Sequence, residues 1–256
     1  MIKQKLQQLT KHKFVELTSR GNTAIEAALS NLKGKILIPE EGGWLSYKTL
    51  PEKLGLESVK VKCDNAVLNL QDLSEKVKTA SALLYQNPGG YHGEQPMQEI
   101  YNLCKQNNCL VILDVSGSIG TELCDGNYAD IIIGSFGKWK LVDVGIGGFI
   151  SWNDETMQFS VKPFTGDEKL ILDKLENLSE RIKFLQEKRK QVISDLENFE
   201  VINKNDTGIV VIVLFKTADE KEKIINYCVK SNLEYTECPR YIRLNKEAIS
   251  IEVKRK

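Results

Sequence analysis

Two rhythms of apolar and polar positions run along this chain. Short apolar runs at KFVELT (13–18), KILIP (35–39), ALLYQ (82–86), CLVILDV (109–115) and ADIIIGS (129–135) read as strands. Between them, Ala24, Ile25, Ala28 and Leu29 fall on one face of a helix over 22–32. Further helices are predicted over 70–77 and over 95–107, the second ended by Asn107-Asn108, while 54–63 holds a turn and another strand. Strands alternating with helices predict an α/β domain with a mostly parallel sheet and helices on both faces. Ligands in such sheets sit beyond the C-terminal ends of the strands. Candidate chemistry is therefore sought in the loops that follow residues 18, 115 and 135.

After residue 150 the rhythm changes. Ile171, Leu175, Leu178, Ile182, Leu185, Val192 and Leu196 recur at steps of three and four, which predicts one long helix over 167–198. Arg189 interrupts its apolar stripe. A strand at 208–215, a helix near 218–231 and short strands in EYTEC, YIRLN and AISIEV complete a small α+β unit. The expected organisation is a large domain over 1–160, then a connecting helix and a small C-terminal domain over 161–256.

Charge and composition narrow the partners. Lysine plus arginine number 35, aspartate plus glutamate 35, so nothing favours nucleic acid or an anionic membrane. No apolar run reaches membrane-spanning length, and MIKQKLQQLTKHKF lacks a signal core, so a cytoplasmic protein is expected. Six cysteines without a C-x-x-C pair, and only two histidines, give no zinc spacing; reduced packing cysteines are expected.

Three loops carry candidate chemistry. After the first strand, Ser19-Arg20-Gly21-Asn22-Thr23 opens a helix, a setting in which backbone N–H groups and the helix dipole hold a phosphate; Asn22 or Thr23 as a simple N-cap is the alternative. Asp114 ends the strand at 109–115, where a turn or capping role competes with a catalytic one. Ser135 ends the strand at 129–135 and is followed by Lys138, Lys140 and the glycines Gly145, Gly147 and Gly148. Phosphate cradle, carboxylate and lysine, in that order, match the needs of pyridoxal phosphate: donors for the phosphate, an acid for the ring nitrogen and an amine for the aldehyde.

On these residues the chain resembles the fold-type I pyridoxal phosphate enzymes, and among them the DegT/DnrJ/StrS aminotransferases, over about residues 14–200. Gly21-Asn22-Thr23-Ala24 is similar to that family's Gly-Thr-Ala turn, and Pro39 followed by Trp44-Leu45-Ser46 to its proline and aromatic run. Tyr91-His92-Gly93-Glu94-Gln95-Pro96 is similar to its Tyr-Gly-Gln-Pro, and Leu113-Asp114 stands at its acidic pair. Ser135-Phe136, Lys140 and Gly145-Ile146-Gly147-Gly148 keep its spacing of serine, lysine and glycines without a gap. That spacing favours Lys140 over Lys138, which in an extended segment would point to the same side.

The resemblance implies a three-layer fold-type I large domain, pyridoxal 5'-phosphate as cofactor and a homodimer. It implies that Lys140 binds the aldehyde and then moves a proton, and that Asp114 meets the ring nitrogen. Gly21, Asn22, Thr23 and Ser135 would hold the phosphate, and Trp44 would stack on the ring, unless it is core packing. Asn87 would reach the ring hydroxyl, unless it only forms its turn. Arg243, taken as lying on a strand, would fork onto a substrate carboxylate, with a surface ion pair as the alternative. The chain is shorter than usual for the family, the Asn-x-Arg motif that reaches a neighbouring subunit is missing, and Gly117 stands where Gln or His is usual. The function expected is an aminotransferase acting on small amino and keto compounds. Another lyase, desulfurase or decarboxylase with the same cofactor is the alternative, as is a shortened non-catalytic relative.

Overall fold

A computed structural model describes residues 1–256. The element order is α1 (Ile2–Thr10), β1 (Phe14–Thr18), α2 (Gly21–Leu29), β2 (Lys35–Pro39), α3 (Ser46–Lys53), β3 (Glu57–Val61), β4 (Cys63–Asp64), β5 (Val67–Leu68), α4 (Leu70–Lys76) and β6 (Ala82–Gln86). Then come α5 (Met97–Gln106), β7 (Leu110–Asp114), β8 (Ile131–Ser135), β9 (Gly148–Trp152), α6 (Glu168–Glu176) and α7 (Leu178–Asp195). The chain ends with β10 (Val201–Ile202), β11 (Val211–Leu214), α8 (Ala218–Lys230), β12 (Tyr235–Arg240), β13 (Leu244–Ile251) and a 3-10 turn at Val253–Arg255.

The large sheet has seven strands in the order β1-β9-β8-β7-β6-β2-β3. Only β9 runs against the others, antiparallel to both β1 and β8. The remaining six strands therefore share one direction, and the loops leaving β1, β2, β6, β7 and β8 all emerge at one edge. Side-chain alternation fills both faces. Ile131 and Ile133 of β8 pack with Ala24, Ile25 and Ala28 of α2, while Ile132 between them faces the opposite side with Leu83, Val111 and Leu113. That opposite core continues through α6 and α7 into the small sheet, β10-β11-β13-β12, which is antiparallel throughout. No helix is long and apolar enough to cross a membrane.

Several elements differ from the sequence expectation, among them helix α3 and the β4–β5 hairpin, for which no element was expected. The N-terminal helix α1 was not foreseen; its Ile2 and Leu6 join the core, and a two-residue anchor is too sparse to signal a helix. Strand β9 was missed because the glycines before it read only as a close-approach segment. The long helix divides at Asn177, whose backbone (φ −90°, ψ 10°) leaves the helical range while its Nδ2 donates to Asp173 O at 2.8 Å. Asparagine competes for backbone groups in this way, and an apolar stripe read alone does not reveal it. YIRLN is a strand only at its end: Tyr241–Arg243 form the turn between β12 and β13, and Leu244-Asn245 open β13.

Arg189 has a clear role in α7. It is buried, and its guanidinium donates to the carbonyls of Val210, Lys204 and Asn203 at 3.3, 3.2 and 2.7 Å. One arginine thus satisfies three carbonyls around β10 and β11, and ties the helix to the small sheet.

Candidate active site

Three strand ends meet at one cavity of about 300 Å³, which is lined by Arg20, Gly21, Asn22, Trp44, Tyr91, Asp114, Ser116, Ser135 and Lys140, with Gly145–Gly147 at its side. Ligand pockets start at about this size.

The β1–α2 turn supplies one wall. Arg20 is the extended residue before the helix and makes no side-chain cap; the N–H groups of Thr23 and Ala24 turn back to its carbonyl. The N-terminal end of α2 is presented to the cavity through Gly21 and Asn22. Gly21 is required by contact. A Cβ there would lie 2.7 Å from Ser135 Cβ and 2.9 Å from its Oγ, so only glycine lets the helix start against the end of β8. Thr23 lies one step away from the cavity, and its hydroxyl pairs with that of Ser19 at 3.0 Å.

Asp114, at the end of β7, supplies the opposite wall. It is 5% exposed, and both its oxygens are held: Oδ1 accepts from the Ser116 N–H at 2.8 Å and Oδ2 from the Tyr47 hydroxyl at 2.7 Å. Burial and the adjacent carboxylate push the Tyr47 phenol well above its ordinary pKa, so it stays a donor. Tyr47 gave no signal in the sequence.

Trp44 leaves β2 on a loop clamped by the C-terminal hairpin. The Gly42 N–H donates to Tyr241 O at 2.7 Å, and Glu41 accepts from the N–H groups of Ala66 and Asn245 at 2.8 and 2.6 Å. The indole donates to Asn22 Oδ1 at 3.0 Å, which joins the aromatic wall to the helix end.

The β8–β9 loop separates the two lysines. Trp139 takes a left-handed backbone (φ 62°), and its N–H donates to Asp143 Oδ2 at 2.8 Å. This turn leaves Lys138 exposed and returns Lys140 to the cavity. The Lys140 ammonium lies 5.1 Å from the Trp44 ring centroid and donates to the Tyr91 hydroxyl. It has no carboxylate within ion-pair distance. Burial is the largest influence on it and lowers its pKa to about 8; Arg243 pushes the same way, against Asp114, Glu252 and Asp143.

Besides Thr23, two candidate residues fall outside this constellation. Asn87 is fully buried and does not line the cavity; its Oδ1 accepts from the Gln95 N–H at 3.1 Å, which makes it a loop brace. Arg243 is 2% exposed and forks onto Glu252, with Nε–Oε1 at 3.1 Å and Nη2–Oε2 at 2.8 Å. It was expected to meet a substrate carboxylate; in this structure the protein's own carboxylate fills the fork, and Arg243 does not line the cavity. Arg20 and Tyr91 are the reverse case. Both line the cavity, and both sat inside segments singled out in the sequence without being assigned a role. A cation inside a phosphate-type turn was the available signal for Arg20. For Tyr91 the available signal was its place at the head of the segment Tyr91-His92-Gly93-Glu94-Gln95-Pro96.

A profile of the DegT/DnrJ/EryC1/StrS aminotransferase family matches residues 2–166. The chain belongs to that family. A second profile, the MJ1341 family C-terminal domain, matches residues 172–255. Among curated proteins no sequence matches. Solved structures share the fold over 98% of this chain. They include 3-amino-5-hydroxybenzoic acid synthase (TM-score 0.74, 13% identity, 84% of that chain), a putative sugar aminotransferase from Streptococcus pneumoniae in its PLP form (0.73, 10%, 85%) and serine palmitoyltransferase from S. paucimobilis (0.72, 15%, 70%). The fold is fold-type I, and the cofactor is pyridoxal phosphate.

The residues present fit that cofactor. A helix N-terminus with Arg20 and Ser135 suits a phosphate, and the cradle is one that a Cβ at Gly21 would fill. A carboxylate, an aromatic wall and a half-buried amine complete the donor set.

Proposed function

We propose that this protein is an aminotransferase that moves an amino group between an amino acid and a keto compound, with Lys140 as the residue that binds the cofactor aldehyde. The observation that carries this reading is the single cavity shared by Lys140, Asp114 and the N-terminal end of α2. Bound there, pyridoxal phosphate supplies an electron sink for the bond broken at the substrate α-carbon. The rest is done by side chains. Gly21, Asn22, Ser135 and Arg20 anchor the phosphate. Asp114, fixed by Tyr47 and Ser116, would meet the ring nitrogen and favour its protonated form. Trp44 covers one ring face. Lys140, with a pKa near 8, is available as an uncharged amine at mildly alkaline pH and can take up and return a proton at the α-carbon.

A desulfurase reading receives no support from the cysteines. Five of the six are buried, Cys63 is half-buried with its thiol pushed up to about 12 by burial, and none lines the cavity. Large apolar side chains stand exposed beside the site: Leu45 next to Trp44, Trp139 next to Lys140, and Ile146 on the cavity wall. They support a homodimer in which a second copy of the chain covers the cavity mouth. The division into a cofactor domain, 1–160, and a C-terminal part, 161–256, belongs to the same reading. Borohydride reduction of the loaded protein, followed by peptide mapping, tests the central claim: label on Lys140 supports it, and label on Lys138 sinks it. Conversion of the cofactor to its amine form by an amino donor alone separates transamination from lyase or decarboxylase chemistry.

A further inference from the structure

Position 117 and Tyr91 are matched in shape. A Cβ at Gly117 would lie 2.3 Å from Tyr91 Cδ1 and 2.7 Å from Cε1, so the tyrosine ring occupies the space that a side chain three residues past Asp114 would need. The ring arrives there by an unusual route. Tyr91 is a non-glycine residue in the left-handed region (φ 68°), in the turn that begins at Gly89. What holds it is the C-terminal part of the chain: the Tyr91 carbonyl accepts from the N–H groups of Ile209 and Val210 at 2.9 and 3.4 Å. A strained backbone persists only where its surroundings impose it. The ring is 3% exposed, and three cations face it: Lys140 at 4.7 Å, Arg243 at 5.1 Å and Lys254 at 5.3 Å from its centroid.

We propose that Tyr91 is a catalytic residue whose phenol oxygen holds the Lys140 amine in the cavity and stabilises its protonated form, and that the C-terminal domain sets Lys140 through this tyrosine. The proposal deepens the reading of Lys140 as the cofactor-binding lysine and rests on it. An ammonium half-buried at a cavity wall needs acceptors from the protein to be held in one place. Lys140 has no ion-pair partner, so the phenol is its hydrogen-bonding contact with the protein. The charges acting on Lys140 come from several elements: Asp114 from β7, Asp143 from its own loop, and Arg243, Glu252 and Lys254 from the C-terminal hairpin and turn. Of the three carboxylates, Glu252 is engaged by Arg243 and Lys254, Asp114 by Tyr47 and Ser116, and Asp143 by the Trp139 N–H.

The test uses cofactor-free full-length protein. Formaldehyde and borohydride methylate lysines in their uncharged form, and mapping the label at Lys140 across a pH series gives that amine's midpoint. Tyr91→Phe keeps the ring against Gly117 and removes only the hydroxyl. Loss of one hydrogen bond to a charged group should lower the midpoint by about one pH unit. Gly117→Ala keeps the hydroxyl but drives the ring away, and should shift the midpoint in the same direction. An unchanged midpoint in both variants overturns the role of Tyr91 while leaving that of Lys140 intact. A wild-type Lys140 that labels like the exposed Lys138 overturns the lysine assignment, and the proposal with it. If Tyr91→Phe does not fold, Gly117→Ala alone decides.

Discussion

The loop after β8 and the turn between β12 and β13 each bring a cation up to the Tyr91 ring, Lys140 half-buried and Arg243 fully buried, and they put it to opposite uses. Arg243 meets a carboxylate of its own chain in a two-point fork, and its neighbours Lys254 and Arg255 lie 3.3 and 4.0 Å from the same Glu252. Lys140 meets only a phenol. Glu252, held by three cations, is lowered to about 2, whereas Lys140, desolvated without a partner, is lowered to about 8. A paired buried cation serves stability. Lys140 shares its lowered pKa with the ion-paired Lys254, but of the two only Lys140 lines the cavity, where an accessible uncharged form is what a nucleophilic amine requires.

The sharpest way to break this comparison is to remove the unpaired cation. Lys140→Ala should abolish borohydride-fixable cofactor and turnover, while Lys138→Ala retains both; absorbance of the loaded protein and a donor half-reaction read the difference. Asp114→Asn comes next. It keeps the hydrogen-bonding shape but loses the charge, so turnover should fall by about 10²–10³-fold with cofactor still bound, the scale of removing one preorganised electrostatic partner. Near-normal turnover would reduce Asp114 to a cap.

On the paired side, the expected effect is on folding. Arg243→Leu leaves Glu252 buried without its fork and should cost about 3 kcal/mol in denaturant unfolding, with Lys254 still nearby to limit the loss. Arg240→Leu, at an exposed position, should fall within about 0.5 kcal/mol of wild type. A large change in the Michaelis constant for the amino donor, with unchanged stability, would restore Arg243 as a substrate residue.

The smallest effects lie in the pH dependence of stability, where both sites make stability rise with pH, in two separate windows. Glu252 has a depressed folded-state pKa. Its stabilisation is present above the ordinary carboxylate value and is lost as pH falls from about 4.5 toward 2. Lys140 and Lys254 are both depressed to about 8, so between about 8 and 10.5 the unfolded chain holds more protons than the folded one. Stability should rise with pH across that window. Lys140→Met should reduce the rise without removing it, because Lys254 remains. A rise identical to wild type would mean that Lys140 is solvated.

Much of the large domain was legible because its evidence is local. A buried parallel strand such as Ile131–Ser135 announces itself as a continuous apolar run, and residues that work from strand ends follow at short, regular offsets. Gly21, Asp114, Ser135 and Lys140 were found this way, and all four line one cavity. Asn87 was found by the same reasoning and does not, since a loop asparagine braces a turn as readily as it meets a ligand. The small domain was less legible. Its strands are short, and the turn at Tyr241–Arg243 carries the same alternation as a strand.

The apolar runs that became the parallel strands, the helix that follows the first of them, and the spacing of serine, lysine and glycines were therefore set within a few residues of chain, and the sequence by itself determined them. Which lysine enters the cavity was decided by the left-handed turn at Trp139, which separates two residues that alternation alone would place together. Which cation stays unpaired was decided by Glu252, which lies nine residues from Arg243 and more than a hundred from Lys140. The filling of the space at Gly117 was decided by a tyrosine whose backbone is held from residues 209 and 210. Pairing and desolvation depend on distances in space, and only the folded chain specifies those.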